Sequence, residues 1–192
     1  MKRTLLLANI ANVEADALIY STNVQLALTG GVGAALKKKY GFQIQMDLVA
    51  AFNQSKKVQP NVGDVYITQP DYTPFRFLFN TIATSENFIT KRETVIDILK
   101  HCLDHCVTQG GVERVVCSPI GSGFGDLTTQ AYCQCLEQAL EGFQDSLIRE
   151  FIVACYDQQQ FKELQHCLPA WESSILEKPR AFFEGRKKKN SD

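Results

Sequence analysis

Arg114-Val115-Val116-Cys117-Ser118-Pro119-Ile120-Gly121-Ser122-Gly123-Phe124-Gly125 decides the reading of this chain. Arg114 to Ser118 is a short, largely apolar run of the kind shown by a strand buried on both faces. It breaks into a loop with glycine at alternate positions, and a helix is expected from about Thr129 to Phe143. The same succession occurs earlier. Ala17 to Ser21 reads as a buried strand and Thr22 to Thr29 as a loop. Gly30-Gly31-Val32-Gly33 then leads into a helix that Gly41 is placed to stop. Strands that feed helices in this way build a largely parallel sheet covered by helices on both faces. In such sheets ligands bind at the carboxyl ends of the strands.

The rest of the chain repeats the alternation. Strands are expected at Thr4 to Asn9, Asp64 to Gln69, Phe75 to Ile82 and Phe151 to Tyr156, which makes about six in all. Helices are expected at Gln43 to Phe52 and Gln158 to Cys167. Another opens at Thr90, which stands three residues before Glu93, the spacing of a capping box. That helix carries Val95, Ile96, Leu99, Cys102, Leu103, Cys106 and Val107 at spacings of three and four, and Gly110-Gly111 ends it. Pro169 starts a final segment holding Trp171.

Bulk composition narrows the class further. A chain of 192 residues, 45% hydrophobic and 21% charged, suits one globular domain. One domain is expected over 1–185, followed by a basic tail, 186–192, read as solubilising. The net charge of -1 argues against a nucleic-acid binder held by bulk electrostatics. Lys37-Lys38-Lys39 reads as a solvated helix face. Asn9, Asn12, Glu14 and Asp16 interrupt the apolar N-terminal stretch before it becomes a signal peptide. No run reaches the ~18 apolar residues of a membrane span. A cytoplasmic location without membrane partners is therefore expected. The seven cysteines are irregularly spaced without a C-x-x-C pair, and they read as reduced core residues. His101-Cys102 and His105-Cys106 lie on adjacent helix faces and do not converge on one ion, so no metal or other cofactor is expected.

The glycine loops carry the chemistry. Consecutive or alternate glycines turn several backbone N–H groups toward one point, and a helix starting just afterwards adds its dipole. Ser122 offers a hydroxyl as well. Neither loop is a P-loop, since no Lys-Ser or Lys-Thr follows. The first is no dinucleotide fingerprint either, because eight residues separate strand from glycines and Leu36 stands in the third glycine's place. Either loop alone also reads as a plain turn that starts a helix. Two at equivalent strand ends suit a diphosphate.

With both loops placed, the chain resembles the macrodomain family along nearly its whole length. The resemblance runs through Ala8-Asn9-Ile10, Ala15 to Asn23, Gly30 to Gly33, Gly63-Asp64-Val65, Phe77 to Ile82, Pro119 to Gly123 and Ala154 to Asp157. The wording is closest to the macro-histone type. The resemblance implies a three-layer α/β/α sandwich with a mixed sheet, and ADP-ribose as ligand. By position, Asn9 stands where the family has an adenine-binding Asp, and Ile10 follows with a backbone N–H. Asn23 corresponds to the Asn that approaches the distal ribose. Gly30, Gly31, Val32 and Gly33 resemble the first diphosphate loop, and Gly121, Ser122, Gly123 and Phe124 the second. Tyr156 matches the aromatic that stacks on adenine.

The departures bear on catalysis. Many hydrolases of the family carry an Asp where this chain has Gly33, and a histidine where it has Asn80. A second catalytic route, using a Lys and an Asp in the second loop, meets Gly125, with Asp126 adjacent. Asn23 and Asp126 are the remaining catalytic candidates. The resemblance therefore implies a binder of ADP-ribose, O-acetyl-ADP-ribose or protein-linked ADP-ribose. The alternatives are an ADP-ribosyl ester hydrolase and an interaction module with a degenerate pocket. Protein partners would be ADP-ribosylated proteins.

Overall fold

The computed structural model describes residues 1–176. The basic run from Arg186 to Lys189 and the expected domain end at 185 lie outside the described residues. The elements follow the expected alternation, with β1 at Lys2–Leu7, β2 at Ala17–Ser21, α1 at Gly31–Tyr40 and α2 at Gln43–Gln54. Then come β3 (Val65–Thr68), β4 (Phe77–Thr81), α3 (Arg92–Gln109), β5 (Arg114–Cys117) and α4 (Thr129–Leu140). The described chain ends with β6 (Glu150–Cys155), α5 (Gln158–Cys167) and β7 (Glu172–Ile175).

The strands form one sheet in the order β3-β4-β2-β5-β6-β1-β7, parallel throughout except where β3 pairs antiparallel with β4. Leu18, Ile19, Leu78, Phe79, Val115 and Val116 are fully buried, because helices cover the sheet on both faces. Each such side chain contributes about 1.5–3 kcal/mol on burial. One core layer joins the sheet to α3, α4 and α5, and the other joins it to α1 and α2. This is the three-layer α/β/α sandwich with a mixed sheet.

Among the described residues the sheet has seven strands rather than about six. β7 pairs in parallel with β1, yet all four of its residues are exposed. No hydrophobic alternation marks it, since its hold is the backbone ladder along the free edge of β1. Trp171 anchors its start, with the indole N–H donating to Glu137 (2.8 Å) and the ring edge-on to Phe151.

Two sequence features resolve into core structure. Cys102, Cys106 and Cys117 are buried, and burial pushes the Cys106 and Cys117 thiols up to about 12. They pack as small apolar groups. His105 stands edge-on to Phe77 and Phe79, and its Nε2 has no hydrogen-bond partner among the described residues. Burial lowers its pKa, and His101 one turn earlier lowers it further. The unfolded chain, titrating near ~6.5, then binds this proton more readily than the folded one. Stability associated with neutral His105 is present above that value and is lost as pH falls through the depressed folded pKa. The melting temperature should drop between pH 7 and pH 5, and His105→Leu should flatten the drop. An equal drop in the variant would assign it to other groups.

Candidate functional site

Parallel pairing brings four segments to one edge of the sheet. β2, β5, β6 and β1 are consecutive neighbours, and their carboxyl ends carry Asn23, the loop Gly121–Gly125, Tyr156 and Asn9. Ala8 N–H donates to Cys155 O (2.9 Å), which fixes the ends of β1 and β6 side by side. Three interstrand spacings of ~4.8 Å give the edge a span of ~14 Å, enough for an extended nucleotide.

The first loop is a helix start without a side-chain cap. Gly30 is the N-cap of α1, and no side chain there bonds the N–H groups of the first turn. By contrast, Thr128 caps α4 and Asp157 caps α5. The uncapped donors and the helix dipole make this end receptive to an anion. Gly31 has φ +53°, a conformation that favours glycine. Gly33 has a different reason to be glycine. A Cβ there would stand 2.9 Å from Leu28 Cδ2 and 3.3 Å from Leu28 Cα.

The lead-in to this loop is held from both sides. Asn23 accepts from Ala27 N–H and donates to Ala27 O, both at 2.9 Å. Gln45 of α2 accepts from Leu28 N–H (2.8 Å) and donates to Leu26 O (2.6 Å). The Asn23 amide thus clamps its own loop. Sequence reasoning overlooked Gln45, because a glutamine at a helix start carries no distinguishing pattern.

The second loop lies across the first. The Phe124 ring comes within 3.3 Å of where a Cβ on Gly30 would stand and 3.5 Å for Gly31. A Cβ would be tight against the ring at Gly30 and in ordinary contact with it at Gly31. The Ser122 hydroxyl donates to Pro119 O (2.9 Å) and accepts from Gln160 Nε2 (3.0 Å). It therefore ties the loop to α5 instead of offering its proton to a ligand. The Ser122 N–H also turns inward, to Pro119 O (3.3 Å), while Gly123 is exposed and a Cβ on it would meet nothing within 4 Å.

At the other end, Asn9 caps a short 3-10 turn, Ile10–Asn12, by accepting from Ala11 N–H (3.1 Å). Ile10 buries its side chain. Lys39 is not simply a solvated lysine, since its Nζ donates to Ala11 O (2.7 Å) and Asn12 Oδ1 (2.9 Å). Tyr40 donates to the same Ala11 carbonyl (3.0 Å). Helix α1 therefore begins at the first glycine loop and ends by holding the Asn9 turn.

The polar residues considered for catalysis are engaged elsewhere. Asp126 accepts from Thr90 N–H (2.7 Å), and its own N–H donates to Phe88 O (3.0 Å). Asn80 is fully buried. It accepts from Tyr20 and donates toward the Tyr66 and Leu78 carbonyls and the Thr68 hydroxyl, joining β2, β3 and β4. A Cβ on Gly125 would collide with the Thr90 hydroxyl, the Gly121 carbonyl and the Thr84 hydroxyl.

Two hollows of about 650 and 550 Å³ lie elsewhere, one along β1, β6 and β7 and one between α2 and β3. Neither borders a glycine loop, and neither gathers backbone donors at a helix start. The glycine-loop edge is the better candidate on its chemistry.

An α/β/α sandwich with two glycine loops meeting over adjacent parallel strands defines the class of this domain. The sequence model of the Macro domain matches residues 19–139. The chain belongs to the macrodomain family. Solved structures agree on the fold. A Trypanosoma brucei macrodomain in complex with ADP is 13% identical with a TM-score of 0.72, over 87% of this chain and 69% of that one. An Oceanobacillus iheyensis macrodomain with ADP is 17% identical with a TM-score of 0.75, over 86% and 90%. The macrodomain of Thermus aquaticus DarG is 19% identical with a TM-score of 0.64, over 80% and 97%. No curated protein matches the sequence.

Proposed function

We propose that the protein binds ADP-ribose, free or as an O-acetyl or protein-linked derivative, with the diphosphate between the two glycine loops. The observation that carries this reading is their convergence, with Phe124 of one loop lying on Gly30 and Gly31 of the other. Gly30, Gly31, Val32 and Gly33 offer N–H groups from one side, and the loop from Gly121 to Phe124 faces them from the other, its Ser122 N–H already donated to Pro119 O (3.3 Å). Asn9, Ile10 and Tyr156 would receive the adenine at β1 and β6, and Asn23 would border the distal ribose. The T. brucei and O. iheyensis macrodomains bound to ADP or ADP-ribose support the same ligand class. Calorimetric titration with ADP-ribose, ADP, AMP and NAD tests it. ADP-ribose and ADP should bind more tightly than AMP, which lacks the second phosphate. Binding of none of them would leave the domain as an interaction module.

Base recognition gives a sharper expectation. Asn9 already uses its oxygen on Ala11 N–H. Asn9→Asp would keep that cap and present a second, charged oxygen to the adenine amino group. Hydrogen bonds to a charged acceptor are roughly twice as strong as neutral ones. Affinity for ADP-ribose should rise by ~1–2 kcal/mol, about 5- to 30-fold. Unchanged affinity would mean that the base is read elsewhere.

A further inference from the structure

Thr90 looks in the sequence like the start of a capping box, yet it caps nothing. The N-cap of α3 is Lys91, with no side-chain hydrogen bond there. The Thr90 side chain turns instead into the second glycine loop. It is buried, and its Oγ1 lies 2.9 Å from Thr84 Oγ1 and 3.3 Å from Gly121 O. A carbonyl only accepts, so Thr90 donates to Gly121 and Thr84 donates to Thr90. The Thr90 backbone N–H meanwhile binds the Asp126 carboxylate.

The loop is shaped around this residue. Gly121, at φ +78°, has no room for a Cβ because the Thr90 methyl group stands 2.5 Å from that position. Gly125 has none because the Thr90 hydroxyl occupies it. One threonine thus holds the first and last parts of the loop while glycine on both sides lets the loop close over it. Between those anchors Gly123 is exposed, and a Cβ built on it would meet nothing within 4 Å.

We infer that Thr90 is a positioning residue, its hydroxyl holding the 121–126 loop in the shape that presents backbone N–H groups to a diphosphate. The inference rests on the proposed ligand only for its binding consequence. The hold itself is a property of the free protein.

Two readouts test it on the full chain: amide hydrogen exchange across 121–126 without ligand, and ADP-ribose affinity. Thr90→Val keeps the shape and removes the hydroxyl, while Thr90→Ser keeps the hydroxyl. Thr90→Val should speed exchange at Gly123 to Asp126 without speeding it in β5 and α4, and should weaken ADP-ribose binding about tenfold, the scale of one hydrogen bond. Thr90→Ser should restore both to within about twofold of the parent. If Thr90→Val fails to fold, Thr84→Val removes the proton that Thr90 accepts and should show the same localised change. Unchanged loop exchange in the valine variant, or equal defects in valine and serine variants, overturns the inference. A parent protein that does not bind ADP-ribose overturns the proposed function instead, and loop exchange then decides the role of Thr90.

Discussion

Gly123→Glu should abolish ADP-ribose binding while leaving the fold intact. Space at position 123 is open, so the longer side chain enters without displacing a neighbour. Its carboxylate is then carried on the loop proposed to face the diphosphate. Two unit charges ~4 Å apart repel by about 4 kcal/mol at the effective dielectric of a protein surface, close to a thousandfold in affinity. Gly123→Gln adds the same bulk without the charge and should lose much less. Gly31→Glu is the poorer probe, because φ +53° strains any side chain there and the Phe124 ring lies close by. Titration of the three variants, with thermal melting as a control for folding, reads the result. A folded Gly123→Glu protein that binds like the parent would remove the diphosphate from this edge.

Those two glycine loops were legible in the sequence because their composition is itself the signal, and the strands before them are continuous apolar runs. The outer edge of the sheet beside β1 was not. Glu172-Ser173-Ser174-Ile175 has no buried face, so nothing in its side chains announces a strand. The hydrogen-bonding state of the site was equally hidden. Thr90 has the spacing of a helix cap, but Gly121 and Gly125 compete for it from more than thirty positions away in the chain. Ser122 reads as a donor until Pro119 and Gln160 are seen to hold it. Lys39 reads as one of three solvated lysines until the turn after Asn9 folds beneath it. Local pattern shows which residue types are present. It does not show which neighbour reaches them first.

That same competition bears on whether the protein turns over ADP-ribosyl esters, and the expected result is no multiple turnover. Ester cleavage needs a water aimed at the anomeric carbon or the ester carbonyl, and a group to activate it. Asn23 holds Ala27 with both ends of its amide, and an amide is no base near neutral pH. Asp126 is bound to the Thr90 N–H at 2.7 Å, in a loop whose neighbouring Gly125 has no room for a side chain. Asn80 lies in the core with its oxygen and nitrogen both engaged. Losing a general acid–base group typically costs about 10²–10⁴ in rate. An Asp introduced at position 33 would bring its Cβ to 2.9 Å from Leu28 Cδ2 and 3.3 Å from Leu28 Cα, an overpacking that costs about 1–3 kcal/mol of stability. The assay incubates the protein with aspartyl- or glutamyl-ADP-ribosylated substrate and with O-acetyl-ADP-ribose, and measures released ADP-ribose. Repeated turnovers that disappear in Asn23→Ala or Asp126→Ala would show that one of these side chains leaves its present partner when substrate binds, and would make the protein an enzyme.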